Sequence, residues 1–338
     1  MLRVISTRQD PNMPTLAELP KAQKKINCVW IGNGPINYLS AFNILSWISC
    51  GWTVTIYKHP APVAGASVSA LFPMDARPAF YHIGEGDLSV VSLADTLEPE
   101  TPVMPNARTL LRRWIAQIGV GYTSYAIGDL TKSFIAGTCV GIVLDLKIGP
   151  SKWIHSYPAD RFLDSFISFS RAGAGGVENQ CLGSFLLAAS NKYGSNFDQG
   201  VNFRLGGATF AGKNEAEAVF GSITGMHQNA FNKLRFGPGA RGTDVKTLNS
   251  DVWSFTELRG VSNSGPFRVY QTPGYFNWKQ GEYPEQKKAN ELLVANTLRD
   301  DHGFGGYGAA PAPLETNGFY YRVIQPMARK AINSLDPG

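Results

Sequence analysis

The first sustained apolar run, Ile26-Asn-Cys-Val-Trp-Ile31, has the length and near-continuous hydrophobicity of a buried strand. It ends at Gly32-Asn-Gly-Pro35, residues that suit a turn, and an apolar helical segment is expected from Ile36 to Ser49. Gly51 breaks that helix, and Trp52-Thr-Val-Thr-Ile-Tyr57 reads as a second strand. Strand, turn, helix and strand within about 32 residues is the size of a βαβ unit. Such a unit places its first turn at the carboxyl end of the first strand, where open α/β sheets bind ligands.

Further along, Pro60 to Gly86 is rich in Ala, Pro and Gly and reads as loop. Helical periodicity returns at Ala107 to Ile118, with Leu110, Leu111, Trp114, Ile115 and Ile118 on one face. A helix is expected from Ala126 to Gly137, and Val140-Gly-Ile-Val-Leu-Asp145 reads as a short strand running into Leu146-Lys147. Helices are also expected around Asp160 to Ser170, Asn179 to Lys192 and Val323 to Ser334. The region from 195 to 320 shows no clear period, and no internal repeat is visible.

Composition narrows the class. Apolar residues at 43% and charged residues at 17% describe a chain that can bury a core, which excludes a disordered one. The expectation is therefore an α/β domain, with a polar leader over residues 1–25 and one unit over residues 26–338. The 31 Lys and Arg residues give a net charge of +5 but form no run, which argues against a nucleic-acid groove. A mild basic bias does suit an anionic ligand such as a nucleotide diphosphate.

The four cysteines, at 28, 50, 139 and 181, have no metal-ligand spacing, which fits a reducing compartment. No signal-peptide core and no stretch of about 18 apolar residues is present, so a soluble cytoplasmic protein without a transmembrane segment is expected.

Two readings compete for the first turn. Ile31-Gly-Asn-Gly-Pro35 looks like the opening of an FAD- or NAD-binding Rossmann fold, whose glycines let the backbone approach a pyrophosphate. Asn37 stands where that fingerprint needs its third glycine. Lys58-His59 stands where an acidic residue would accept the ribose hydroxyls.

The whole of Cys28-Val-Trp-Ile-Gly-Asn-Gly-Pro-Ile-Asn-Tyr38 instead resembles the first strand of GT-A-fold glycosyltransferases. The group concerned is the DXD-containing sugar transferases that include capsular polysaccharide enzymes and the catalytic domains of the large clostridial cytotoxins. A second segment agrees: Ala126-Ile-Gly-Asp-Leu-Thr-Lys132, then Gly141-Ile-Val-Leu-Asp-Leu-Lys147, is similar to that group's "A-x-S-D-x-x-R … G-G-x-Y-x-D-x-D". A fainter continuation lies at Asn179-Gln-Cys-Leu-Gly-Ser184.

The resemblance implies a GT-A-like nucleotide-binding open sheet flanked by helices, with an irregular C-terminal half. Residues 26–150 would bind the nucleotide sugar and residues 151–338 the acceptor. It implies a donor site of Val29, Trp30, Ile31, Gly32, Asp129, Lys132 and Asn179, with the Trp30 indole against the base of a UDP-sugar or other nucleoside diphosphate sugar. Asp129 would meet sugar hydroxyls, with Lys132 in place of an arginine. Asp145 takes the place of the first metal-motif carboxylate and Lys147 that of the second, so these two are the expected catalytic residues.

Several positions depart from the pattern: Gly128 stands for serine, Val140 for glycine, Val143 for tyrosine and Lys147 for aspartate. One carboxylate is a poor grip for manganese or magnesium, although such ions do bind through one or two carboxylates plus phosphates. A lysine ammonium can stabilise a leaving diphosphate without any metal. The expected reaction is thus transfer of a hexose to an acceptor that is a glycan, a small metabolite or a protein, with no metal required or only weak use of one. Two alternatives stand beside it: a decayed nucleotide-sugar-binding or scaffold protein, and an unrelated fold in which Asp145 and Lys147 are surface residues.

Other motifs add little. The five histidines share no ligand spacing, and there is no G-x-S-x-G elbow and no P-loop. Gly237-Pro-Gly-Ala-Arg-Gly242 could bring backbone amides and Arg241 to an anion, and His302 lies in a glycine-rich stretch that could act as a lid.

Overall fold

The computed structural model describes residues 14–117, 123–146, 148–150, 154–155, 159, 166–173, 176–210, 213–236 and 267–269. Strand β1 (Lys25–Ile31) runs into helix α1 (Tyr38–Ser49) and returns as β2 (Thr53–His59), the βαβ unit expected from the sequence. The Asn37 side chain accepts from the Ser40 amide and so caps α1. Gly51 adopts a positive φ of 79° and lets the chain reverse after the helix. The residue that spoils a dinucleotide fingerprint is thus the one that starts the helix.

The chain continues through β3 (Leu88–Ser92), α2 (Leu93–Leu97), α3 (Pro105–Ile115), α4 (Thr123–Thr138) and β4 (Gly141–Leu144). Then follow β5 (Ile148–Pro150), β6 (Ile167–Gly173), β7 (Gly176–Ser184), α5 (Leu187–Asp198), α6 (Val201–Leu205), α7 (Lys213–Phe236) and β8 (Phe267–Val269). Six strands form one open sheet in the order β3-β2-β1-β4-β7-β6, and β5 pairs with β8 separately. β1, β2, β3 and β4 are mutually parallel, while β7 is antiparallel to β4 and β6 to β7. This is the expected class, an open and mostly parallel α/β sheet flanked by helices.

Alternation along the inner strands feeds a core on each face. On one side Ile26 and Cys28 of β1 and Ile142 and Leu144 of β4 pack with Phe42, Ile44 and Trp47 of α1. On the other, Val143 and Leu182 pack with Leu111 of α3, Leu130 and Phe134 of α4, Tyr193 and Phe197 of α5, and Ile223 of α7. Helices α4 and α5 cross closely at Gly137 and Gly194, where a Cβ on Gly137 would lie 2.7 Å from the Gly194 Cα. At the start of α3 the buried Asp198 carboxylate accepts from the amides of Asn106 (3.1 Å) and Ala107 (2.7 Å), so one helix end caps another.

The structure corrects four sequence expectations. Ile167 to Ser170 belongs to β6, whereas Asp160 to Ser170 reads as helix in the sequence; residues 160–165 lie outside the described residues. Asn179 to Ser184 belongs to β7, and the helix begins only at Leu187. A short apolar run buried on both faces, as Cys181 and Leu182 are, has no period to separate strand from helix. The Pro60 to Gly86 stretch contains 3₁₀ turns at Val68–Leu71 and Met74–Phe80 instead of plain loop. Finally, within the stretch from 195 to 320, where the sequence shows no clear period, α7 spans the 24 residues Lys213–Phe236. The expected helix at Val323 to Ser334 lies outside the described residues.

Candidate functional site

Because β1, β2 and β4 are parallel, their carboxyl ends share one sheet edge. β1 leaves the sheet through Gly32, at a φ of 143°, whose amide donates to the His59 carbonyl at 2.8 Å. The buried Lys58 ammonium donates to the carbonyls of Gly32 (3.1 Å) and Pro60 (3.0 Å). It therefore ties the exits of β1 and β2 together at the position where a dinucleotide fold needs a hydroxyl acceptor. Burial lowers the Lys58 pKa.

Trp30 is half-buried against the α1-side core, and its indole N–H donates to the Gly34 carbonyl at 3.0 Å. Its neighbours Val29 and Ile31 pack against the opposite core. The indole donor is thereby spent inside the protein.

Across the edge, Lys132 of α4 joins two carboxylates. Its Nζ lies 2.7 Å from Asp129 Oδ1, one helical turn earlier, and 2.8 Å from Asp145 Oδ1 just after β4. Side-chain exposures of 12% for Lys132, 21% for Asp145 and 36% for Asp129 make the lysine the most enclosed of the three and Asp129 the most open to a ligand. Burial lowers the Lys132 pKa, but the charges and hydrogen bonds of Asp129 and Asp145 outweigh it and raise the pKa overall. The Lys132 ammonium is therefore fixed in its charged form. Burial, reinforced by the Asp145 charge, pushes the thiols of Cys28 and Cys181 up, so neither is a nucleophile.

Behind the cluster, the buried His227 of α7 places Nδ1 2.9 Å from the Tyr193 hydroxyl of α5. Burial, then the charge of Lys132, pushes its pKa down to about 3, so the imidazole is neutral. Chemically the edge offers two carboxylates for hydroxyl groups, a fixed ammonium between them, and a flat indole surface nearby.

Of the expected site residues, the structure brings Asp129, Lys132 and Asp145 into direct contact. Val29, Trp30, Ile31 and Gly32 stand at the same edge, with Trp30 on the α1 side of the sheet. Asn179 lies on β7, two residues from Cys181, which pairs with Leu144; this places it beyond the carboxyl end of β4. Lys147, Arg241 and His302 lie outside the described residues.

The metal implied by the resemblance fits poorly. Asp145 already holds an ammonium, and among the described residues no group of three or more His, Cys, Asp or Glu could ligate a metal. Sequence reading missed Lys58, His227 and the pair Asn43 and Trp47. A lone buried histidine leaves no spacing signal, whereas Asn43 is the one amide side chain within the apolar α1.

No protein-family model matches the chain, and no curated protein matches it. Among solved structures it is similar to "PaToxG Glycosyltransferase", with a TM-score of 0.41 and 11% sequence identity, covering 90% of this chain and 87% of that chain.

Proposed function

We propose that the protein is a hexosyltransferase using a nucleoside diphosphate sugar, with UDP as the favoured nucleotide. One observation carries this reading: Asp129 and Lys132 come from one resembling motif and Asp145 from another, and the fold joins all three through a single ammonium. Trp30 stacks on the base and Asp129 accepts from sugar hydroxyls. An acceptor hydroxyl attacks the anomeric carbon as the bond to the diphosphate breaks; the electron pair leaves on a phosphate oxygen and the hydroxyl proton is released to solvent.

In this reading Lys147, carried on the segment after Asp145, supplies the charge that a second carboxylate and its metal would otherwise provide, and turnover needs no divalent ion. Arg241 and Asn179 are assigned to the donor, and the acceptor is a glycan, a small metabolite or a protein. The dinucleotide alternative is disfavoured by the geometry at the turn, where the Gly32 amide is taken by His59 and Lys58 occupies the acidic position.

A thermal-shift panel of UDP, GDP, several UDP-sugars, FAD and NAD, with and without manganese, tests the assignment, since a ligand of the native state raises its melting temperature. Stabilisation by a nucleoside diphosphate or its sugar, independent of manganese, is expected. A response confined to FAD or NAD would overturn the reading, and nucleotide binding without turnover would identify a decayed transferase.

A further inference from the structure

Helix α1 follows the turn after Trp30, whose indole donates to the Gly34 carbonyl in that turn, and it reaches the segment that carries Asp145. Asn43 and Trp47, four residues apart and hence on one helical face, both point polar hydrogens at that segment. Asn43 Nδ2 donates to the Leu146 carbonyl at 2.9 Å, and Trp47 Nε1 to the Ile148 carbonyl at 3.0 Å. These carbonyls flank Lys147 in the sequence. Both side chains are 1% exposed, so neither bond is shared with solvent.

Stability alone does not account for this pair. The Asn43 Oδ1 is buried without a hydrogen-bond partner, a cost that an apolar side chain of similar volume would avoid. Trp47 lies in an aromatic cluster, 5.4 Å from Trp52 in an edge-to-face arrangement, where a phenylalanine would also pack. What asparagine and tryptophan add to a leucine and a phenylalanine is two N–H donors, both aimed at one strand exit.

We propose that Asn43 and Trp47 are positioning residues that set Asp145, and with it the ammonium bridge to Lys132, relative to Trp30 at the end of β1. The inference rests on the transferase reading for its functional meaning. α1 is then a rigid spacer between the part of the site that takes the base and the part that meets sugar and diphosphate. Transfer chemistry is sensitive to such spacing, because a misplacement of about 1 Å can cost roughly 100-fold in rate.

Asn43→Leu and Trp47→Phe keep the bulk and delete the donors. Each is compared with wild type by circular dichroism and melting, by calorimetric titration with UDP, and by steady-state hydrolysis of UDP-glucose. The expected result is a folded protein with UDP affinity within about twofold of wild type and kcat lowered roughly 10- to 100-fold. Equal losses in affinity and kcat, or no loss in either from a folded variant, would overturn the positioning role.

Amide exchange gives a readout independent of nucleotide. The Ile148 amide, which donates to the Asp145 carbonyl at 2.9 Å, should exchange at least about tenfold faster in both variants while the Cys28 amide is unchanged. Unchanged Ile148 exchange contradicts the clamp. A wild type that binds no nucleotide, yet shows the Ile148 effect in the variants, would sink the transferase reading and leave the clamp standing.

Discussion

At the scale of single residues, Lys132 is held between the carboxylates of Asp129 and Asp145. Removing it leaves two carboxylates facing each other in a half-enclosed site, so Lys132→Met should destabilise the fold by about 3 kcal/mol in chemical denaturation. That is the lower end for breaking a buried pair, because Asp129 is 36% exposed. Asp129→Asn should cost less than 1 kcal/mol, as for a surface pair, and Asp145→Asn more than Asp129→Asn, since Asp145 is 21% exposed. Equal costs for the two aspartates would contradict the burial difference. Trp30→Ala should weaken UDP binding about tenfold in calorimetry, the loss expected for one aromatic stacking partner.

Three residues of the candidate site were legible in the sequence, but through kinds of residue and not through geometry. Asp129, Lys132 and Asp145 could be picked out because two short segments resemble a known pattern in the right order. That Lys132 lies between the two carboxylates follows only from the way α4 packs beside β4. Lys58 illustrates the opposite failure: its sequence position marked an absent acid, while its actual work, tying two strand exits through their carbonyls, has no signature in composition or period.

Elements carry the next set of expectations. β1, β2, β4 and α1 were readable because each is an apolar run with a glycine at or near one end, whereas the parallel β3 (Leu88–Ser92) was not anticipated. β6 and β7 were not readable either, since a short apolar run such as Cys181-Leu182 of β7 shows no period that separates a strand from a buried helical turn.

Helix α3 depends on a cap that no local motif announces, because Asp198 is supplied by the end of α5. Asp198→Ala should therefore cost about 1 to 2 kcal/mol, measurable as a lowered denaturation midpoint. The α5–α7 contact makes stability sensitive to acid through His227. Its folded pKa, about 3, lies below the ordinary 6.5, so the unfolded chain binds the extra proton and stability falls as pH drops below about 6.5. The loss should approach about 1.4 kcal/mol per pH unit in that window. His227→Gln should flatten the dependence between neutral pH and about pH 5, whereas an unchanged slope would mean that His227 is not the group responsible.

For the whole molecule, the arrangement is a six-stranded open sheet with a core on each face and the candidate site at the carboxyl edge of β1, β2 and β4. No described helix is long and apolar enough to cross a membrane. Two helices on opposite faces reach that edge: α4 brings Asp129 and Lys132, and α1 donates from Asn43 and Trp47 to the carbonyls of Leu146 and Ile148 just after β4. A ligand that touches both sides would couple them, which is what a base linked through a diphosphate to a sugar can do. The most direct test is calorimetric titration of UDP-glucose into wild type, Trp30→Ala and Asp129→Asn, all in the presence of a chelator. Binding by wild type that both substitutions weaken is the predicted result; binding that neither substitution changes, or that appears only when manganese replaces the chelator, would contradict the account.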